Sequence, residues 1–298
     1  MLTSDMQRLI VFALEEDLGN GDHTSASSVP DGLQREGFIL AKEEGLVAGL
    51  EVATEVFRRV DAELNCELLM RDGDRVWPGS KVMRISGSAR RILEAERLAL
   101  NFIQRMSGIA TRTAEVVESL KGTNCHVLDT RKTTPGMRAF EKWAVRIGGG
   151  VNHRMGLHDM ILIKDNHVDY AGSMLRALEG VAQYLESKSL NIPVVVEVRD
   201  ANEAMEAMEA QGLWRKPAGT PLIDRLLLDN HSPEETARAV TDWGAKIPLE
   251  ASGGIHPGNA RAYAEAGVDF ISMGWLTHSV PGLDFSLKST DQIHSVHE

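Results

Sequence analysis

Apolar positions along the chain change rhythm near residue 110. Before that point the spacing is mixed. Met6 to Leu14 carries apolar residues at helical steps and predicts a short amphipathic helix. Gly37–Ala41, Leu64–Leu69 and Lys81–Ile85 read as strands, set apart by the turn signals Arg71–Asp74 and Trp77–Ser80. Ile92, Ala95, Ala99, Phe102, Ile103, Met106 and Ala110 then recur every three or four positions, which predicts a long helix. From about residue 113 short apolar runs alternate with helical segments such as Ala201–Gln211 and Pro233–Trp243. The runs fall at 126–129, 160–164, 194–198, 226–229, 248–252 and 270–273. Strands this apolar are buried on both faces, the mark of a parallel sheet. The fold class expected is α/β: an N-terminal α/β sandwich followed by an incomplete, open α/β barrel of about six parallel strands. The expected domains are 1–112, completed by 276–298, and 113–275. A doubly wound nucleotide-binding sheet fits less well, because no G-x-G-x-x-G turn follows any of these strands.

Nearly every run ends on a polar or charged residue: Asp129, Lys164, Glu197, Asp229, Ser252 and Ser272. Parallel barrels build their active sites at the C-terminal ends of their strands. One such residue is as well explained by a cap as by a site. Six in succession, of both charge signs, favour one shared mouth.

Composition narrows the classes. The 298 residues are 43% hydrophobic and 25% charged, ordinary for a globular protein, and disordered and fibrous classes are excluded. No apolar run approaches ~18 residues, so no spanning helix is expected, and the N-terminal residues do not read as a signal peptide. Cys66 and Cys125 are the only cysteines, which suits a reducing compartment and a cytoplasmic location. A net charge of −11 argues against nucleic-acid or anionic-membrane partners. The charge is unevenly spread, however. Between residues 126 and 167 seven cations (Arg131, Lys132, Arg138, Lys142, Arg146, Arg154, Lys164) face four acids, leaving +3, while the remainder carries −14.

Arg138, Lys142 and Arg146 share four-residue spacing in one helical stretch and are expected on a solvated face. Arg131, Lys132, Arg154 and Lys164 sit at strand ends or in a Gly-rich loop, where forked and point-charge donors suit a multiply anionic substrate. Ser252-Gly253-Gly254 and Ser272-Met273-Gly274 close the last two strands, a favoured position for a phosphate cradle. Glu197 and Asp229 on neighbouring strand ends suit a divalent cation, sugar hydroxyls or acid–base work. No zinc helix, nucleophile elbow or Walker loop is present.

Asp129-Thr130-Arg131-Lys132-Thr133-Thr134-Pro135-Gly136, Gly149-Gly150-Val151-Asn152-His153-Arg154 and Lys164-Asp165-Asn166-His167 together resemble the quinolinate phosphoribosyltransferases. Glu96-Arg97, Ser107-Gly108-Ile109-Ala110, Leu228-Asp229-Asn230 and Glu250-Ala251-Ser252-Gly253-Gly254 extend the resemblance over nearly the whole chain. It implies transfer of phosphoribosyl from phosphoribosyl pyrophosphate to quinolinate with decarboxylation, using Mg2+, in a homodimer. By resemblance, Arg131, His153, Arg154 and Lys164 receive the two carboxylates, with Thr130 beside them. Lys132 and Lys164 bridge both substrates; Glu197 and Asp229 hold ribose hydroxyls and Mg2+. Lys132, Lys164, Glu197 and Asp229 are thus the expected catalytic set. Ser252, Gly253, Gly254, Ser272 and Gly274 take the 5′-phosphate, and Arg97 reaches across from a partner subunit. Three alternatives remain: a Schiff-base aldolase or lyase using Lys164 or Lys132, a related phosphoribosyltransferase acting on another acid, and a non-catalytic binding protein on the same scaffold, which would not need Arg131, Lys132, Lys164, Glu197 and Asp229 together.

Overall fold

A computed structural model describes residues 2–290. Its strands, in chain order, are β1 (Gln34–Ala41), β2 (Gly45–Leu46), β3 (Asn65–Leu68), β4 (Arg75–Val76), β5 (Lys81–Ser88), β6 (His126–Leu128), β7 (Ile161–Ile163), β8 (Val194–Val198), β9 (Arg225–Asp229), β10 (Leu249–Ser252), β11 (Phe270–Ser272) and β12 (Phe285–Ser289). The chain forms two compact units. One draws on residues up to Glu115, on Thr133–Gly149 and on the segment from Leu276; the other comprises Val116–Lys132 and Gly150–Trp275. Of the expected completing segment 276–298, residues 291–298 lie outside the described residues.

In the first unit an antiparallel sheet runs in the order β12-β1-β5-β3. Its alternating burial along β1 is what half-buried strands require. The late strand β12 pairs with β1 from Gly37↔Ser289 to Ala41↔Phe285, so the sheet takes strands from both ends of the sequence. The predicted long helix spans Ala89–Ser119 and buries the expected stripe, with Ala95, Ala99, Ile103, Met106 and Ala110 fully covered. Ser107 Oγ accepts from Ala48 N at 2.8 Å, which ties the helix to the start of the helix Leu50–Val60. At Gly108 the helix backbone is approached so closely that a Cβ would lie 2.2 Å from the Pro281 carbonyl oxygen. That crossing sets the approach to β12, because Leu283 N donates to the Gln104 carbonyl at 3.0 Å.

One expectation fails here. The helix Arg138–Ile147 does not present Lys142 to solvent: Lys142 is 0% exposed, alongside buried Phe140, Glu141, Ala144 and Val145. Arg146 is exposed and Arg138 half-buried, its Nε donating to Thr133 Oγ1 at 3.1 Å. Four-residue spacing identified a common face, but what covers a face is a tertiary matter, and this helix is covered over a wide arc. Buried Glu141 receives Arg105 at 2.7 Å and the Thr134 N–H at 3.1 Å, so the Thr133–Gly136 turn is pinned by a carboxylate.

The second unit is a six-stranded sheet in the order β6-β11-β10-β9-β8-β7, every pairing parallel. Read around a ring, this is sequence order with the last strand returned to the first and the ring unclosed between β6 and β7. Val151 bridges Leu128 in parallel on the open edge of β6. The result is the expected open α/β barrel. β8 is buried at all five positions, Val194 to Val198. Helices Met174–Lys188, Ala201–Leu213 and Pro233–Trp243 connect successive strands. The last two begin on side-chain caps, Asp200 and the Ser232–Glu235 box. The stretch Leu213–Gly219 ends a helix and turns back through an Arg215↔Pro221 bridge, with Lys216 buried on Asp224 at 2.5 Å.

Because the obstruction at Gly108 is backbone rather than a movable side chain, Gly108→Ala is expected to destabilise the protein by about 1–3 kcal/mol. Urea or thermal unfolding measures it, and an unchanged midpoint would contradict the crossing described.

Candidate active site

Directly paired residues of a parallel sheet face the same side, and so do residues two apart along a strand. The register therefore sorts the strand ends without reference to side chains. Glu197 pairs with Leu227, Ser252 with Asp229, and Ile163 with Val196. It follows that Lys164, Glu197, Asp229 and Ser252 share one face. Ser272 joins them: Glu250 pairs with Phe270, and each of these lies two residues before its serine. One end and one face of a single sheet thus collect charges of both signs, two hydroxyls and the glycines that follow them.

Lys164 Nζ lies 2.5 Å from Glu197 Oε2, with Glu197 almost fully buried and Lys164 half open to solvent. On the next strand Asp229 Oδ2 accepts from Asn230 Nδ2 at 2.7 Å. Asn230 adopts the left-handed region, φ 54°, and its N–H donates to the Ser252 carbonyl at 2.8 Å. Gly253 follows at φ 95°, and a Cβ there would meet Asn230 Oδ1 at 2.2 Å. The turns after β9 and β10 therefore nest against one another, and only glycine fits between them. Glu197 and Asp229 can serve a magnesium ion that arrives on substrate oxygens. Among the described residues no group of three or more His, Cys, Asp and Glu forms a protein-only cage.

The cationic side is built by two loops. After β6, buried Asp129 leads into exposed Arg131 and Lys132, whose turn is closed by Lys132 N donating to Thr130 Oγ1 at 3.0 Å. The loop before β7 carries His153 and Arg154. His153 N donates to Asp129 Oδ1 at 2.8 Å, joining the two loops. Arg154 N donates to His153 Nδ1 at 2.8 Å, and Arg154 Nη1 to the Met160 carbonyl at 3.3 Å. Asp159 closes the loop beneath, accepting from Met155 N at 2.7 Å and Gly156 N at 2.9 Å. Burial, together with the neighbouring positive charge of Arg131, holds the Arg154 guanidinium below its ordinary pKa, against a smaller opposing pull from Asp159. Two like charges close enough to influence one another define a place for an anion.

The structure thus brings Thr130, Arg131, Lys132, His153, Arg154, Lys164, Glu197, Asp229, Ser252, Gly253, Gly254, Ser272 and Gly274 into the barrel unit. Arg97 belongs to the other unit, exposed on its long helix. His153 is 8% exposed, and its Nε2 points at Glu250, 3.6 Å away, inside the barrel. Sequence reasoning gave no role to Asp159, Arg225 or Glu250. Glu250 lies two residues before Ser252 on the same strand face, and that periodicity was the available signal.

Two family models cover the chain: the quinolinate phosphoribosyl transferase N-terminal domain matches residues 22–107 and its C-terminal domain residues 109–288. A mitochondrial quinolinate phosphoribosyltransferase (decarboxylating) of Nicotiana glauca is 42% identical over 96% of this chain and 82% of its own. A probable nicotinate-nucleotide pyrophosphorylase (carboxylating) of Bacillus subtilis is 39% identical over 98% and 96%. The solved nicotinate-nucleotide pyrophosphorylase of Francisella tularensis superposes with a TM-score of 0.88 at 36% identity, covering 97% and 98% of the two chains.

The backbone donors Met155 and Gly156 outweigh burial and keep the Asp159 carboxyl below its ordinary value. A depressed carboxyl contributes stability above its unfolded value, about 3.9, and loses it as pH falls through the folded value. Asp159→Asn should therefore be less stable than the parent at pH 7, by about 1 kcal/mol for a partly exposed group. The gap should close as both are melted at pH values falling towards 3, and a pH-independent gap would refute it.

Proposed function

The chain belongs to the quinolinate phosphoribosyl transferase family, and from that premise we propose that it transfers phosphoribosyl from phosphoribosyl pyrophosphate to quinolinate, releasing pyrophosphate and carbon dioxide and yielding nicotinate mononucleotide. The observation that carries this reading is that one unit holds both the Arg131–Arg154 pair and the Lys164–Glu197 ion pair. The first is a seat for carboxylates; the second offers Lys164 to the anionic oxygens of the pyrophosphoryl sugar and Glu197 to the ribose.

Arg131 and Arg154 hold the two carboxylates of quinolinate, with Lys132 and Lys164 between that acid and the pyrophosphoryl sugar. The buried His153 acts from behind, as the support of Arg154. Gly253, where a Cβ would strike Asn230, and Gly254, which follows it at positive φ, offer backbone N–H groups to the 5′-phosphate with Ser252, Ser272 and Gly274. Glu197 and Asp229 face the ribose. When bound with the pyrophosphoryl group, Mg2+ neutralises the leaving charge. As the bond from C1′ to the pyrophosphate oxygen breaks, positive character develops on C1′, and the fixed carboxylates of Glu197 and Asp229 stabilise it. The pyridine nitrogen forms the new bond to C1′ and becomes a cationic ring nitrogen. The adjacent ring–carboxylate bond then breaks, its electron pair stays on the ring carbon beside that nitrogen, and a proton from solvent completes the product. The protein's share is positioning and electrostatics.

Three further assignments belong to this reading. The active form is a homodimer to which Arg97 contributes from the partner subunit. Its position on an exposed helical face supports this. The cation is Mg2+, a hard ion that the carboxylates of Glu197 and Asp229 suit. The compartment is a reducing one such as the cytoplasm; none of the described helices is long and apolar enough to cross a membrane. A Schiff-base lyase is disfavoured, because such a lysine is activated by apolar or cationic surroundings. Lys164 instead contacts a carboxylate.

Purified protein given quinolinate, phosphoribosyl pyrophosphate and Mg2+ should consume quinolinate and release pyrophosphate in equal amounts. Arg131→Ala should lower kcat/KM by about 3 kcal/mol, a hundredfold or more. Near-normal kcat/KM in that variant, or no turnover with quinolinate by the parent, overturns the proposal.

A further inference from the structure

Inside the barrel, below the site, sits a charged group that the reaction does not touch. Glu250 on β10 is 0% exposed. Its Oε2 lies 2.8 Å from Arg225 Nε and 3.6 Å from His153 Nε2. Arg225 in turn lies over the Phe270 ring, 4.5 Å from its centroid. Burial alone would push the Glu250 carboxyl up; His153, Arg225 and the Ser272 hydroxyl outweigh it and hold it down, so the group is anionic. A single buried ion pair with Arg225 would neutralise it, and a lone ion pair gives little net stability. The histidine is the part that such a pair leaves unexplained.

His153 links this interior charge to the anion seat. Its Nδ1 accepts the Arg154 N–H at 2.8 Å, and a ring nitrogen that accepts carries no proton. The ring proton therefore sits on Nε2, facing Glu250. Were the proton to move to Nδ1, the Arg154 N–H would lose its partner and the ring would oppose it donor to donor. Asp129, also 0% exposed, holds the other side of the same segment through His153 N. Two buried carboxylates thus grip residues 153–154 from below, one through the backbone and one through the imidazole.

We infer that Glu250 is a positioning residue for Arg154: by fixing the Nε2–H form of His153 it sets the affinity of the site for the carboxylated substrate. The inference rests on the reading that Arg154 receives a carboxylate of quinolinate. Of the groups assigned to the phosphoribosyl moiety, Lys164, Glu197, Asp229 and Gly253 hang on other contacts, and Ser272 meets Glu250 through its hydroxyl. Loss of the interior charge should therefore divide the two substrates.

The test uses the full-length enzyme. Arg225→Leu/Glu250→Leu removes both interior charges together, and Glu250→Gln keeps the shape of the side chain should the double variant fail to fold. Either change is expected to raise KM for quinolinate tenfold or more and leave KM for phosphoribosyl pyrophosphate within about twofold. In the unliganded double variant, 15N spectra should show His153 leaving the single Nε2–H form seen in the parent. Arg154→Ala, measured alongside, separates the two levels. If it leaves KM for quinolinate unchanged, the reading of the pocket fails. If it raises that KM while the Glu250 variants do not, this inference alone fails. Equal rises in both KM values, or an unaltered His153 tautomer in the double variant, would also overturn it by leaving Glu250 a purely structural part of the barrel.

Discussion

Parallel strands joined in sequential ring order must end together, and in this protein that constraint places everything else. Each strand enters from a helix at one end of the sheet and delivers its last residues to the other. Period-two alternation adds the second half of the constraint. Once Glu197 faces the interior, the register commits Lys164, Asp229, Ser252 and Ser272 to the same side. No individual contact has to find its partner across a flexible gap. The hydrogen-bonded sheet, dry on both faces along β8, does that work before any side chain is considered.

The constraint also explains how a chain of net charge −11 can serve two anionic substrates. The long-range field of an acidic protein opposes an incoming anion only weakly at physiological salt, because exposed charges separated by more than about 8 Å are screened. Inside the mouth the balance is local. Burial and the neighbouring charge of Arg131 hold the Arg154 guanidinium below its ordinary pKa, so an arriving carboxylate gains attraction and relieves like-charge repulsion at once. Of the seven cations between residues 126 and 167, Arg131, Lys132, Arg154 and Lys164 lie in the barrel unit, whereas Lys142 is buried in the other unit; the acids elsewhere govern solubility.

Much of this was readable from residue order. Six apolar runs with polar endings are a one-dimensional record of a barrel and its mouth, and Gly253-Gly254 stands out because both residues take positive φ, where few other residues are possible. What escaped the reading depended on packing between segments distant in sequence. Lys142 looked solvated because its spacing matched Arg138 and Arg146, yet the burial of a helix face is decided by what lies against it. The contact of the His153 ring with Glu250, a residue 97 positions later, is visible only once β10 and the loop before β7 are brought together. Arg225, at the opposite end of its strand from Asp229, gave no hint that its side chain lies within the sheet's interior.

These missed residues share a physical character that sequence patterns handle poorly. A charge at 0% exposure is costly unless it is paired: Glu141 accepts from Arg105 and Thr134 N, Asp129 accepts from His153 N, and Glu250 is paired with Arg225. Propensity and periodicity treat such residues as surface, and a motif match registers them without saying what they hold. Their positions follow a consistent logic all the same. Asp129 grips the His153 backbone, Glu141 grips the Thr134 backbone, and Glu250 faces the His153 ring. In each case a buried carboxylate restrains a loop whose exposed residues carry the chemistry. An exposed arginine keeps its rotamer freedom unless its backbone is fixed, and fixing a backbone in advance lowers the entropy that binding must offset. A site made from mobile cations is therefore only as selective as the buried anions beneath it.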